Sequence, residues 1–254
     1  MLIDPPSALH LDFDANSLNV VAPDDADWVD NLTGRIVSTD VHDNFREHIV
    51  GKFEVTVINV AGARAAGVPL PIFWEETQAL TDLSFALYRN DLYQLKPKVL
   101  RAVGGGPSLR HGNCVTFDRM MIYPQYRGKG VGLRVLRTLM AYFWRREIAV
   151  FALIPFPLQC ANDEALTAEE QAEYRSFGLH DLPRDRAKGV DRLRAHWAQA
   201  GFTQLSGTDY MVASATAPAD VNAWWTGRPL NKVAAGKGVE LGRVSSQTLG
   251  LCAN

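Results

Sequence analysis

Long hydrophobic runs are absent from this chain: nothing approaches the roughly 18 apolar residues that cross a bilayer. The start, MLIDPPSALHLDFD, carries acidic residues where a secretory leader needs a cationic end and an apolar stretch. Cysteine is scarce, with Cys114, Cys160 and Cys252 widely scattered and forming neither a C-x-x-C pair nor a zinc spacing. Neither charge sign is in large excess. Lys and Arg number 26 against 28 Asp and Glu, a formal charge of −2, so no global field draws the chain to nucleic acid or an anionic membrane. Internal repeats and low-complexity tracts are lacking too. Together these absences lead us to expect reduced thiols, no metal, no membrane association and a cytoplasmic location.

What the chain does have is apolar residues, 47% of the total, enough for a real core in one large domain or one domain with extensions. Residues 1–33 are polar and acidic with little periodicity, which suggests an irregular arm. GRIVS (34–38) and KFEVTVINV (52–60) read as strands, the second alternating Phe53, Val55 and Val57 with Glu54 and Thr56. AGARAAG suggests a short helix, and PIFWEETQALTDLSFALYR (71–89) a longer one, starting at Pro71 with Glu75 and Glu76 in its first turn. GGGPS (104–108) reads as a joint. NCVTFDRMMI (113–122) reads as a strand, GLRVLRTLMAYFWRR as a helix, and EIAVFALIPFPLQ as a central strand covered on both faces. TAEE (167–170) is a capping box, GVDRLRAHWAQAGF a helix stopped by Gly201, and FTQLSGTDYMVAS a hairpin.

The strongest local signal is MMIYPQYRGKGVG, residues 120–132, a strand end running through alternate glycines into a helix. Such a turn aims unpaired backbone N–H groups and the positive end of the helix dipole at one place, which suits phosphate or pyrophosphate. Glycine lets the anion approach the main chain, and Arg127 and Lys129 add charge. A tight turn with solvated cations is the plainer alternative. The nucleotide P-loop fails here because Lys129 precedes Gly130 rather than a hydroxyl. The dinucleotide fingerprint fails because Leu133 stands where its third glycine belongs.

The pattern that fits is Q-x-x-G-x-G, with Gln125, Gly128 and Gly130, extended by Gly132. On it, and on EIAVFALIP and AHWAQAGF, residues 52–213 resemble the GNAT superfamily of acyl-CoA-dependent N-acetyltransferases. The resemblance implies an α/β (α+β) fold, a mixed and mostly antiparallel sheet flanked by helices and splayed between strands four and five. Residues 1–51 would then be an N-terminal arm with an additional strand, 160–188 an insertion at the open end of the sheet, and 214–254 an extension packed on the domain. Acetyl-CoA is implied as cosubstrate. The main chain from Arg127 through Gly128, Lys129, Gly130 and Val131 to Gly132 would bind the pyrophosphate, and Met121, Ile122 and Tyr123 the pantetheine arm.

Transfer to an amine needs a base, since an alkylammonium is no nucleophile, together with an oxyanion donor and a proton for the leaving thiolate. Asp118 is the candidate base, the one carboxylate in NCVTFDRMMI. Strict alternation would set it on the face of Met120 and Ile122, where an apolar setting raises its pKa; a structural aspartate paired in the core is the alternative. Glu54 is a second candidate or a solvated edge residue. Where many relatives have a tyrosine acid this chain has Trp197, so Tyr123, Tyr210 or water would serve; His196 should lie on another helix face. Cys114 and Cys160 read as small core residues. The basic run RDRAKGVDRLR (184–194) reads as a solvated helix face or a steering patch, and AWW (223–225) as a docking anchor or a homodimer contact.

The expected activity is acetyl transfer from acetyl-CoA to a primary amine of a small molecule or protein. A non-catalytic acyl-CoA-binding module and a toxin acetylating aminoacyl-tRNA are the alternatives, the last disfavoured by the acidic balance.

Overall fold

In a computed structural model of the chain, the described residues are 8–14, 28–40, 45–68, 77–89, 91, 93–105, 112–144 and 148–215. All fall within Met1–Pro218, so the AWW triplet, Cys252 and nearly all of the expected C-terminal extension lie outside them.

Seven strands form one sheet: β1 (Ala8–Phe13), β2 (Val29–Asp40), β3 (Arg46–Ile58), β4 (Asn113–Ile122), β5 (Ile148–Leu153), β6 (Thr203–Gln204) and β7 (Met211–Ser214). Their spatial order is β1-β2-β3-β4-β5-β7-β6, and every neighbouring pair is antiparallel except β4 with β5. The fold is therefore GNAT-like, as the sequence led us to expect. A parallel pair cannot be joined by a hairpin, and the crossover between β4 and β5 is helix α4 (Val131–Phe143).

The arm is more regular than its composition suggests. Ala8–Phe13 pairs along β2, and β2 pairs along β3, so residues 1–51 supply two full strands and the first part of a third. Position 52 lies inside β3 rather than at a boundary. Short polar side chains hide this pattern: β2 buries Leu32, Gly34, Ile36, Val37 and Ser38, an alternation broken by a register shift between Ile36 and Val37.

Helices cover both faces. Below the sheet run α1 (Val60–Ala65), α2 (Gln78–Leu87) and α3 (Pro97–Ala102), burying Leu83, Leu87 and Val99 against Ile58, Cys114 and Val150. Helix α2 begins later than Pro71 would suggest, because the Thr77 side chain caps it by accepting from the Leu80 N–H; residues 69–76 lie outside the described part. Above the sheet lie α4 and α6 (Arg186–Ala198), whose Val135, Leu136, Leu139 and Trp197 pack on Phe53, Val115, Phe117 and Phe151. β5 is buried at every residue, as a strand covered on both faces must be. Helix α5 (Ala168–Ser176) opens with the full capping box: the Thr167 hydroxyl accepts from Glu170 N–H while the Glu170 carboxylate accepts from Thr167 N–H.

Candidate active site

β4 and β5 part company early. Their register covers Asn113 to Thr116 on β4 and Ile148 to Ala152 on β5, and β4 then continues to Ile122 with no strand beside it on that edge among the described residues. On its other edge β4 stays paired with β3 to the end, Ile122 lying opposite Gly51. Tyr123 N–H donates to Val50 C=O at 3.0 Å, so Met121 and Tyr123 direct their main chain toward β3. By the antiparallel alternation, Met120 and Ile122 are the residues whose main chain faces the opening. Of the three positions expected to meet a pantetheine arm, Ile122 is thus the one whose main chain faces the opening. Met121 is buried beneath α5, and the Tyr123 ring stacks on Phe177 with centroids 4.2 Å apart.

Beyond β4 the chain makes a short 3-10 turn, Pro124–Tyr126, and enters the glycines. Gly128 and Gly130 have φ of 72° and 73°, the left-handed region where a side chain is strained. A Cβ at either would meet nothing within 4 Å, so the turn bares its backbone to open space. Gly130 caps α4, whose first helical bond runs from Arg134 N–H to Gly130 C=O. The N–H groups of Val131, Gly132 and Leu133 therefore have no intrahelical acceptor. Gly132 differs from the other two: it is ordinary helix, and a Cβ there would stand at van der Waals distance from His196 Nε2, Met120 Sδ and Trp197.

The side chain of Arg127 is committed elsewhere. Its guanidinium donates to the Ile122 carbonyl (2.9 Å) and to those of Phe177 and Gly178, stapling the turn to the end of α5. Lys129 lies over the Tyr126 ring at 5.9 Å, and Gln125 and Arg134 are exposed. His196, which helical periodicity set apart from Trp197, shares its corner: their rings meet edge to face at 4.7 Å, beside Gly132. Burial holds the His196 pKa below its ordinary value. Adjacent helix positions diverge by 100°, but large rings at the helix end can reach one spot, which periodicity alone does not show.

Asp118 does not share the face of Met120 and Ile122. β4 carries a bulge, Val55 lying opposite Phe117 and Glu54 opposite Arg119, with Asp118 as the extra residue. The bulge reverses the alternation. Val115 and Phe117 before it, and Met120 and Ile122 after it, all pack on the α4 side. Asp118 is turned to the other side, where its carboxylate accepts from the hydroxyls of Thr116 (2.6 Å) and Thr56 (2.7 Å). Solvent reaches it, yet the surrounding protein removes enough hydration to raise its pKa above the ordinary carboxylate value; the two hydroxyls oppose that rise by favouring the charged form. This face carries Thr56, Thr116 and Asp118 between two coverings on the same side of the sheet, α1–α3 toward the start of β4 and α5 toward its end.

Glu54 is not an edge residue either, because β3 lies between β2 and β4. It pairs with Arg119 (3.5 Å), which also reaches Glu170 (3.6 Å) and Glu173 (4.0 Å) of α5; Lys52 bonds to Glu173. With Met121, Tyr174 and Phe177 as a small core, these contacts fix α5 against β3 and β4. The basic run after it is largely matched locally: Arg184 with Asp163, Lys188 with Asp185, Arg194 with Asp191, and Arg186 over the Phe156 ring. Cys114 is fully buried, and burial pushes its thiol far above the ordinary value, so it offers no thiolate. Among the described residues no group of three or more His, Cys, Asp or Glu side chains could hold a metal, and no helix is long and apolar enough to cross a membrane.

No family model and no curated protein matches the chain. Two solved structures resemble it in shape. A tyrosine-to-phenylalanine variant of KacT aligns at TM-score 0.34 and 10% identity over 73% of this chain and 71% of that one. A KacTA–DNA complex aligns at TM-score 0.37 and 11% identity over 82% of this chain and 94% of that one. Neither likeness bears on activity, substrate or partner.

Proposed function

We propose that this protein is a GNAT-type N-acetyltransferase that moves an acetyl group from acetyl-CoA to a primary amine. One observation carries the reading: the widening between β4 and β5 opens beside a turn whose left-handed glycines, Gly128 and Gly130, present main-chain N–H groups at the start of α4. Arg127 to Gly132 would hold the CoA pyrophosphate through the backbone, with the Lys129 ammonium adding charge. Arg127 would act by fixing the turn's shape. The thioester arm would lie along the unpaired edge of β4, where the main chain of Met120 and Ile122 faces outward, and an N–H there would receive the developing oxyanion.

Asp118 is the proposed base. Its raised pKa makes it a better proton acceptor than an ordinary carboxylate, and its exposure lets an amine or a bridging water reach it. Attack by the amine breaks the thioester directly, so no covalent enzyme intermediate and no metal enters the scheme. We place the reaction in the cytoplasm with a small-molecule or protein amine as acceptor; the near-neutral charge balance offers nucleic acid no attraction.

Two measurements test this. Calorimetry should detect CoA binding to the native chain and its loss in a folded Gly130→Asp variant. Thiol release from acetyl-CoA with a panel of primary amines should show turnover that Asp118→Asn removes. Binding without turnover would mark an acyl-CoA-binding module instead, and absence of binding would overturn the reading.

A further inference from the structure

A second pocket lies on the Asp118 face of the sheet, of about 360 Å³, lined by Asp82, Phe85, Ala86, Ile154, Gly207, Thr208, Asp209 and Tyr210. Its position follows from the register. Thr116, Ala152 and Val212 stand side by side across β4, β5 and β7. Two residues further along are Asp118, Ile154 and Tyr210. Helix α2 supplies Asp82 and Phe85, and the β6–β7 hairpin supplies Asp209.

Three features of this pocket describe a ligand. Tyr210 is 8% exposed, and its hydroxyl has no hydrogen-bond partner among the described residues although it borders the pocket. The ring is buried while the hydroxyl oxygen keeps contact with solvent at the pocket, so it can bond a bound ligand in place of water. Asp82 and Asp209 are exposed, with no cation within 4.0 Å among the described residues, Asp82 meeting the Gln78 amide at 2.7 Å. Between the acids lie large apolar surfaces open to solvent, Phe85 at 65% and Ile154 at 46% exposed. The nearby lysines are already engaged with carbonyls, Lys96 with Phe85 and Lys98 with Ser206.

Resting on the acetyltransferase reading, we infer that the acceptor is a small linear diamine. One ammonium binds between Asp82 and Asp209 within reach of the Tyr210 hydroxyl, its methylenes lie on Phe85 and Ile154, and its other amine reaches Asp118. Two carboxylates around a single amine would hold it charged and unreactive, so the cation they grip and the amine that reacts are different groups. Asp118 and Tyr210 stand on strands either side of β5, about 10 Å apart at ordinary spacing, and the parting of β4 from β5 beyond Thr116 widens that gap, which a linear molecule with an amine at each end bridges. In the reaction the new bond joins the free amine nitrogen to the acetyl carbon, the carbon–sulfur bond breaks, the amine proton passes to Asp118 and from there to solvent, and the departing CoA thiolate takes a proton from solvent to leave as the thiol.

Cadaverine binding should be measured by calorimetry without acetyl-CoA, so that the outcome does not depend on turnover. Cadaverine is expected to bind about tenfold more tightly than pentylamine through its second amine, Asp118→Asn to erase that preference, and Asp82→Asn with Asp209→Asn together to weaken both amines about tenfold. Tyr210→Phe should weaken both amines, while Glu169→Gln, on the surface of α5, leaves both affinities unchanged. Equal binding of the two amines, or a double variant that keeps both affinities, overturns the inference. So does tighter binding of a lysine peptide than of cadaverine. Charge-selective cadaverine binding in a chain that transfers no acetyl group would leave this pocket standing and remove the reaction above it.

Discussion

The Thr56 hydroxyl lies 2.7 Å from the Asp118 carboxylate, across the β3–β4 ladder, and 2.9 Å from the Asn31 amide oxygen. A hydroxyl has one proton and cannot donate to both. With Asp118 ionised, the proton points to Asp118. With Asp118 protonated, Asp118 donates to Thr56 and Thr56 donates to Asn31. The chain Asp118–Thr56–Asn31 thus has a satisfied arrangement for each protonation state, as a group that takes up and releases a proton requires.

Asp118→Asn should lower kcat by roughly a hundredfold or more, the usual share of a general base, with the KM for acetyl-CoA little changed. Thr56→Val removes a donor that favours the charged form, so the acidic limb of the pH–rate profile should move to higher pH. Stability moves in the opposite sense to activity. The raised folded pKa means that the native chain binds the proton more tightly than the unfolded one, so Asp118 stabilises below its unfolded value and that contribution is lost as pH rises through the folded pKa. Thermal unfolding of wild type relative to Asp118→Asn should therefore favour wild type more as the pH falls.

Gly130→Ala and Gly132→Ala separate conformation from crowding. The first forces a side chain into a φ of 73° and should cost about 1–2 kcal/mol in denaturant unfolding. The second meets ordinary contacts at 3.6–3.9 Å and gains helix propensity, so its stability should be unchanged or slightly higher. If the two variants unfold alike, the left-handed turn has been misassigned.

Arg127→Lys keeps the charge and loses the fork. Because the guanidinium donates to three carbonyls, this variant should be less stable by about 1–3 kcal/mol. Arg127→Met should weaken CoA binding no more than Arg127→Lys. A large affinity loss confined to the charge-removing variant would mean that the side chain itself meets the phosphates.

Phe177→Ala should loosen the insertion without unfolding the sheet. The ring is 1% exposed and stacked on Tyr123, and such truncations cost about 3–5 kcal/mol. Faster proteolysis within residues 160–188, with β3 and β4 amides still protected from exchange, is the expected outcome; uniform loss of protection would show the insertion and sheet to be one cooperative unit.

Much of the architecture was legible in the residues. NCVTFDRMMI gave β4 to the residue, the apolar face of α4 gave Val135, Leu136, Leu139 and Phe143, and TAEE gave the capping box, because each depends on contacts within a few positions. Of the strands before residue 46 only GRIVS, inside β2, was legible, and helix α3 was not. β1 owes its form to pairing with β2 and β2 to pairing with β3, and α3 is six residues long with little pattern to read. The glycine turn stood out in the sequence because left-handed backbone demands a particular residue type. The direction of Asp118 did not, since the bulge at that position arises from how β3 and β4 settle their register.

The sequence by itself determined which segments pair or coil and where the backbone must be bare, since hydrophobic period, capping and glycine content act locally. Tertiary structure alone decided that Asp118 faces Thr56, that Arg127 serves the end of α5, and that Asp82, Asp209 and Tyr210 share a pocket. Those relationships join residues as much as 128 positions apart, and only the packing of helices on a twisted, parted sheet brings them together.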